Sequence, residues 1–257
     1  MRPPPLVLGL FFLLSTTAQN ALSCTKVMRW NDDSPFTFID QQKPDIIQGI
    51  SIDITRLILS TLGCKLNFVQ MPWARALESL KTGKIDILSG AYSTQERRKY
   101  AHFSTKGIYS PNILFVRINE TERWPFKSLK DIVNTSFTLG IQINVSYSQE
   151  YETLKDQADF ASHLHQHSSR ESLWHMLALN RIDGVIADQM TGLTELKELG
   201  LKNKITPSQL VVSNAPAFFA FSKKNIDSEF VEQFDAEFSK LVDSGEIKKI
   251  EDFYLDQ

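Results

Sequence analysis

The stretch STQERRKY (93–100) places two hydroxyl residues and Glu96 ahead of the adjacent arginines Arg97 and Arg98. Ser93 followed three positions later by Glu96 has the pattern of a capping box, so a short helix is expected to begin at Ser93 or Thr94. Arg97 then projects from its first turn, beside the end of the apolar segment IDILS (85–89). A guanidinium fixed there can take a carboxylate through two parallel hydrogen bonds. The competing reading is a solvated cationic helix, ERRK, and spacing alone favours it. Asp188 ends a second apolar segment, GVIAD (184–188), just before QMTGLTEL. A carboxylate at that place can cap the following helix, pair with a ligand cation as a cleft closes, or do both. In HLHQH (163–167), His163, His165 and His167 share a face of any strand they form. No cysteine or carboxylate beside them completes a zinc set, so no metal is assigned. The chain shows no Ser–His–Asp order, no HExxH and no phosphate loop, and neither a catalytic residue nor a cofactor is assigned.

These residues need elements to hold them. KVMRW (26–30) reads as a strand and NDDSPFTFIDQQKPD as a loop. Ile54, Leu57, Ile58 and Leu62 follow helical spacing up to Gly63. KLNFVQ (65–70) reads as a strand, WARALESLKT as a helix stopped by Gly83, and IDILS as a strand. Further on, SLKDI (128–132) is a short helix and FTLGI (137–141) a strand. A helix is expected to open near Ser146, a strand to lie at 160–165 and a helix to run from about 168 to 180. GVIAD reads as a buried strand, LVVS (210–213) and AFFAFS (217–222) as two more, and Asp227 to Tyr254 as two helices broken at Gly245. Such alternation predicts an α/β architecture with parallel sheet, and open sheets of this kind take ligands beyond the carboxyl ends of their strands.

The 257 residues carry a formal net charge of −2 and no basic block. That argues against nucleic acid or an anionic membrane surface as partner. Residues 1–23 place Arg2 before an apolar run from Leu6 to Leu14 and then small and polar residues. This is the layout of a removable export signal and too short for a membrane span, so a soluble exported protein is expected. Cys24 and Cys64 are the only cysteines, each just ahead of a strand segment. In an oxidising compartment they are expected to pair, the alternative being lipid attachment at Cys24.

PF (35–36), GISIDI (49–54), LKTGKIDIL (80–88), STQERRKYAHFS (93–104), NRIDGVIAD (180–188) and DSGEIKKI (243–250) occur in an order that resembles the extracellular solute-binding proteins of family 3. The resemblance implies a type II periplasmic binding protein fold, two α/β lobes joined by two crossover strands. Lobe 1 is expected to take 24–112 plus 217–257 and lobe 2 to take 113–216, with NILFVRI (112–118) and AFFAFS as the crossovers. By the same resemblance Arg97 binds a ligand α-carboxylate, Asp188 the ammonium, and Ser146 and Tyr147 open a helix whose N-terminus faces the carboxylate. Asn144 stands where glycine is usual, and asparagine tolerates the left-handed turn. Trp73 is expected to line the side-chain pocket and Phe36 to line it or pack in the core. Gly90 and Ser93 fall in a segment one residue shorter than usual, where ligand contacts are left open. Trp30, Trp124 and Trp174 are assigned to packing. The implied function is enclosure of a small zwitterion, an amino acid or derivative, by a periplasmic monomer that serves an ABC permease. The alternatives are a free-standing sensory or scavenging receptor and a dehydratase-like enzyme on the same fold.

Overall fold

Two five-stranded sheets carry the chain, and the computed structural model describes residues 24–40 and 43–255 of it. The segment read as an export signal lies outside the described residues. In the first sheet, β1 (Thr25–Trp30) lies between β4 (Lys65–Gln70) and β5 (Ile87–Ala91), parallel to both. The antiparallel β12 (Ala217–Ser222) separates β5 from β6 (Ala101–Ile108), giving the order β4-β1-β5-β12-β6. The second sheet runs β11-β7-β10-β8-β9, from β11 (Ile205–Ser213) through β7 (Asn112–Arg117), β10 (Gly184–Asp188) and β8 (Leu139–Gln142) to β9 (Leu164–His167).

The apolar pattern explains why each sheet becomes the middle of a lobe. In α1 (Ile50–Thr61), Ile50, Ile52, Ile54 and Ile58 are fully buried against Met28, Ile87, Phe221 and Phe234. β7 is buried on both faces. Leu114 and Val116 join Phe137 and Ile186 in one core, while Ile113 and Phe115 join Trp174 and Val185 in another. Side chains alternate across a strand, so a central strand covered twice must read as a continuous apolar run. α8 (Ser228–Asp243) and α9 (Glu246–Leu255) close the chain, broken as expected at Gly245 with φ 74°.

The mixed α/β architecture is that of a type II periplasmic binding protein, with two lobes. NILFVRI and AFFAFS are members of the two sheets. The chain instead passes between the lobes through 109–111 and returns through 214–216. The segment read as a loop after β1 contains a hairpin, β2 (Phe38–Asp40) with β3 (Lys43–Gln48). The strand expected at 160–165 begins at Leu164, because a helical turn, α5 (Ala158–Ala161), takes its first half.

Cys24 and Cys64 form a disulfide with a Cα–Cα separation of 4.5 Å, directly before the paired residues Thr25 and Lys65 of β1 and β4. Closing a loop of sequence separation 40 contributes about 4 kcal/mol on the chain-entropy account. None of the described helices is long and apolar enough to cross a membrane.

Candidate functional site

A cavity of about 150 Å³ lies between the lobes, at the carboxyl ends of β1, β5 and β10. Arg97 reaches it from α3 (Gln95–Arg98). The cap of that short helix is Thr94, whose hydroxyl accepts from the Arg97 N–H at 3.2 Å, so the box expected from Ser93 does not form. One helical step separates the two arginines and decides between them: Arg97 is buried and Arg98 exposed. Arg97 Nη1 donates to the Tyr92 carbonyl at 3.1 Å, and Nη2 crosses to the Asn144 carbonyl of the other lobe at 3.0 Å. Among the described residues no carboxylate pairs with it within 4.0 Å. Burial pushes its pKa down, opposed by Tyr100, Glu152 and Glu96. A guanidinium has five N–H donors, so capacity for a carboxylate remains.

Asp188 faces the same cavity from the end of β10. It caps α7 (Gln189–Glu198), accepting from the Thr191 N–H at 3.0 Å. Burial raises its pKa above the ordinary carboxylate range, although Ser110 and Thr191 hydrogen bonds and the Arg170 charge act the other way. Among the described residues it too has no ion-pair partner. A carboxylate raised chiefly by desolvation is relieved by an arriving cation.

Trp73 opens α2 (Trp73–Thr82) and lines the cavity; its ring centre lies 5.8 Å from both the Arg97 and the Arg29 guanidinium carbons. Its Nε1 also donates to Asn144 O, at 3.2 Å. Phe36 lines the cavity and packs on the first-lobe core as well. The N–H groups of Ile50 and Ser51 hold its loop by donating to the Pro35 and Phe36 carbonyls at 3.0 and 3.1 Å. Gly49 makes that approach possible: at φ 127°, a Cβ there would stand 2.4 Å from the Phe36 oxygen.

Gly90 borders the cavity in a left-handed conformation, φ 78°. Ser93 does not border it; its hydroxyl is buried without a hydrogen-bond partner among the described residues. Ser146 and Tyr147 line the cavity but do not open a helix. The next helix, α4 (Gln149–Leu154), is capped by Ser148, so the helix expected to open near Ser146 begins at Gln149. Tyr147 is a core residue whose hydroxyl accepts from the Gln142 N–H at 2.8 Å, and burial pushes its pKa up to about 12. Asn144 takes the left-handed turn, φ 62°, and its carbonyl receives both Arg97 and Trp73.

The structure adds residues that spacing did not reveal. Arg29 Nη1 donates to Asp33 Oδ2 at 2.7 Å, and Arg170 of α6 (Arg170–Ala178) donates to Asp33 Oδ1 at 3.1 Å from the opposite lobe. Asn112 Nδ2 donates to the Tyr92 hydroxyl at 2.9 Å, another contact between lobes. Two histidines of HLHQH serve the fold. His163 engages the Phe137 and Val133 carbonyls, His167 engages Ser169, and no metal-binding group occurs among the described residues.

Two lobes around a cleft lined by opposite charges define a solute-receptor architecture. The chain belongs to the bacterial extracellular solute-binding proteins, family 3, whose sequence profile matches residues 26–257. Among curated relatives it is similar to a putative amino-acid ABC transporter-binding protein, PatH, of Vibrio harveyi. That match is 23% identical and covers 89% of this chain and 86% of the relative. Among solved structures it is similar to AbpA, an amino acid ABC transporter substrate-binding protein of Streptococcus pneumoniae bound to L-arginine. The TM-score is 0.73 at 25% identity, over 90% of this chain and 94% of that one. It also resembles AncCDT-1, an ancestral amino acid-binding protein and precursor of cyclohexadienyl dehydratase. There the TM-score is 0.72 at 20% identity, covering 91% and 95% of the two chains.

Proposed function

We propose that this protein is an exported receptor that closes its lobes around one small zwitterion, an α-amino acid or close derivative, for delivery to an ABC permease. The observation that carries the reading is a pair of ionic groups of opposite sign. Arg97 stands on one lobe and Asp188 on the other, both on one cavity and both without an ion-pair partner among the described residues. Arg97 takes the carboxylate through its remaining donors while Asp188 takes the ammonium. Closure removes water from both contacts and strengthens them. Binding rather than turnover is the reading because these two groups complement the ends of a ligand, and the relatives' names describe binding proteins.

The test is calorimetric titration of protein freed of carried-over ligand against a panel of L-amino acids. We expect binding that Arg97→Ala weakens by about 2–5 kcal/mol and Arg98→Ala leaves nearly unchanged. Equal affinity in wild type and Arg97→Ala overturns the reading. Mass spectrometry of the bound ligand checks the other function class, and its chemical conversion would make the protein an enzyme.

A further inference from the structure

The zwitterion reading uses Arg97 and Asp188, but three other charged residues border the same cavity: Arg29, Asp33 and Arg170. Asp33 has both oxygens occupied, Oδ2 by Arg29 at 2.7 Å and Oδ1 by Arg170 at 3.1 Å. Burial pushes its pKa up, and the two guanidiniums more than offset that, holding it below the ordinary range. Arg170 is spent as well: Nε and Nη2 donate to the two oxygens of Glu195 at 2.7 and 2.6 Å, and Nη1 to Gln142 at 3.0 Å. Glu195 also accepts from Trp174 Nε1 at 2.6 Å. The four groups alternate in sign, and two positive charges against two negative ones leave the cluster neutral.

We infer that the ligand is a zwitterion with an uncharged side chain, excluded from being basic or acidic by this closed ionic cluster. The inference rests on the zwitterion reading above. A cationic side chain would meet a carboxylate already flanked by two guanidiniums. An anionic one would compete with Asp33 and Glu195 for arginines already bonded to them. Either intruder strands a desolvated charge, the costly outcome for buried pairs. The rest of the wall offers neutral partners, the hydroxyls of Thr37, Ser51 and Ser89 and the rings of Phe36 and Trp73. A cavity of about 150 Å³ is in the size range that admits a benzene-sized group in an engineered protein.

The experiment extends the amino-acid titration to three sets: glutamine, asparagine and serine; arginine and lysine; glutamate and aspartate. A neutral amino acid is expected to bind most tightly and every charged one about 100-fold more weakly or worse. A basic or acidic amino acid that binds as tightly as the best neutral one, while still depending on Arg97, overturns this inference and leaves the zwitterion reading intact. Loss of all amino-acid binding overturns both. Asp33→Asn removes one negative charge from the cluster. In that variant the preference for glutamine over glutamate is expected to shrink about tenfold, and an unchanged preference counts against the cluster as the selector. Should the variant not fold, the wild-type panel decides alone.

Discussion

At the scale of single residues, the site turns on what each ionic group already has. Arg97 and Asp188 keep hydrogen bonds to their own surroundings and lack a counter-charge, whereas Arg29, Asp33, Arg170 and Glu195 satisfy one another. Asp188 gives a pH signature. Its folded-state pKa is raised, so it is ionised above that value and neutral below it. Ligand affinity should therefore be full above that raised pKa and be lost as pH falls through it. Asp188→Asn keeps a good helix cap but removes the charge. Titrations over a descending pH range should show a falling affinity in wild type. The variant should bind about 2–5 kcal/mol more weakly with a flat profile over that range. A variant with wild-type affinity would reduce Asp188 to its capping role. The family resemblance picked Arg97 over Arg98, which local spacing alone did not, while the apolar run GVIAD placed Asp188 at a strand end. The sequence concealed Asp33 and Arg170, whose partners across the cleft are 137 positions apart. No periodicity encodes such a pair.

Elements set the positions of these groups. The strands and helices with strong apolar periods, α1, α2, β10, β12, α8 and α9, were legible from spacing, although Leu57 of α1 is exposed and α9 has no fully buried residue. The misreadings fall where polar residues offered equivalent signals. Ser146 and Ser148 both suit a cap, as do Ser93 and Thr94, and only the folded path chooses Ser148 and Thr94. The β2–β3 hairpin was hidden because its short strands are partly exposed and one carries Pro44. The joint between α1 and the loop of Asp33 and Phe36 depends on Gly49. Gly49→Ala puts a methyl against the Phe36 carbonyl in a conformation that L residues avoid. Urea unfolding should show a loss of about 1–3 kcal/mol, with weaker ligand binding because the loop supplies the cavity residues Asp33, Phe36 and Thr37. Wild-type stability in that variant would remove the packing argument.

For the whole molecule, side-chain hydrogen bonds join the two lobes directly. Arg97 and Trp73 reach Asn144, Asp33 reaches Arg170, and Asn112 reaches Tyr92. Separation would leave Asp33 with Arg29 and Arg170 with Glu195, so opening strands no charge of that cluster. A ligand that bridges Arg97 and Asp188 binds the closed form better than the open one and shifts the balance between them. The most direct test of that bridge is a double-mutant cycle by calorimetry. It combines wild type and Arg97→Ala with the tightest-binding amino acid of the panel and its carboxamide. The account predicts that the amide loses about 2–5 kcal/mol on wild type and nothing further on Arg97→Ala, since the partner it would have used is gone. Equal losses on both proteins would mean that the ligand carboxylate is held elsewhere, and would contradict the central claim.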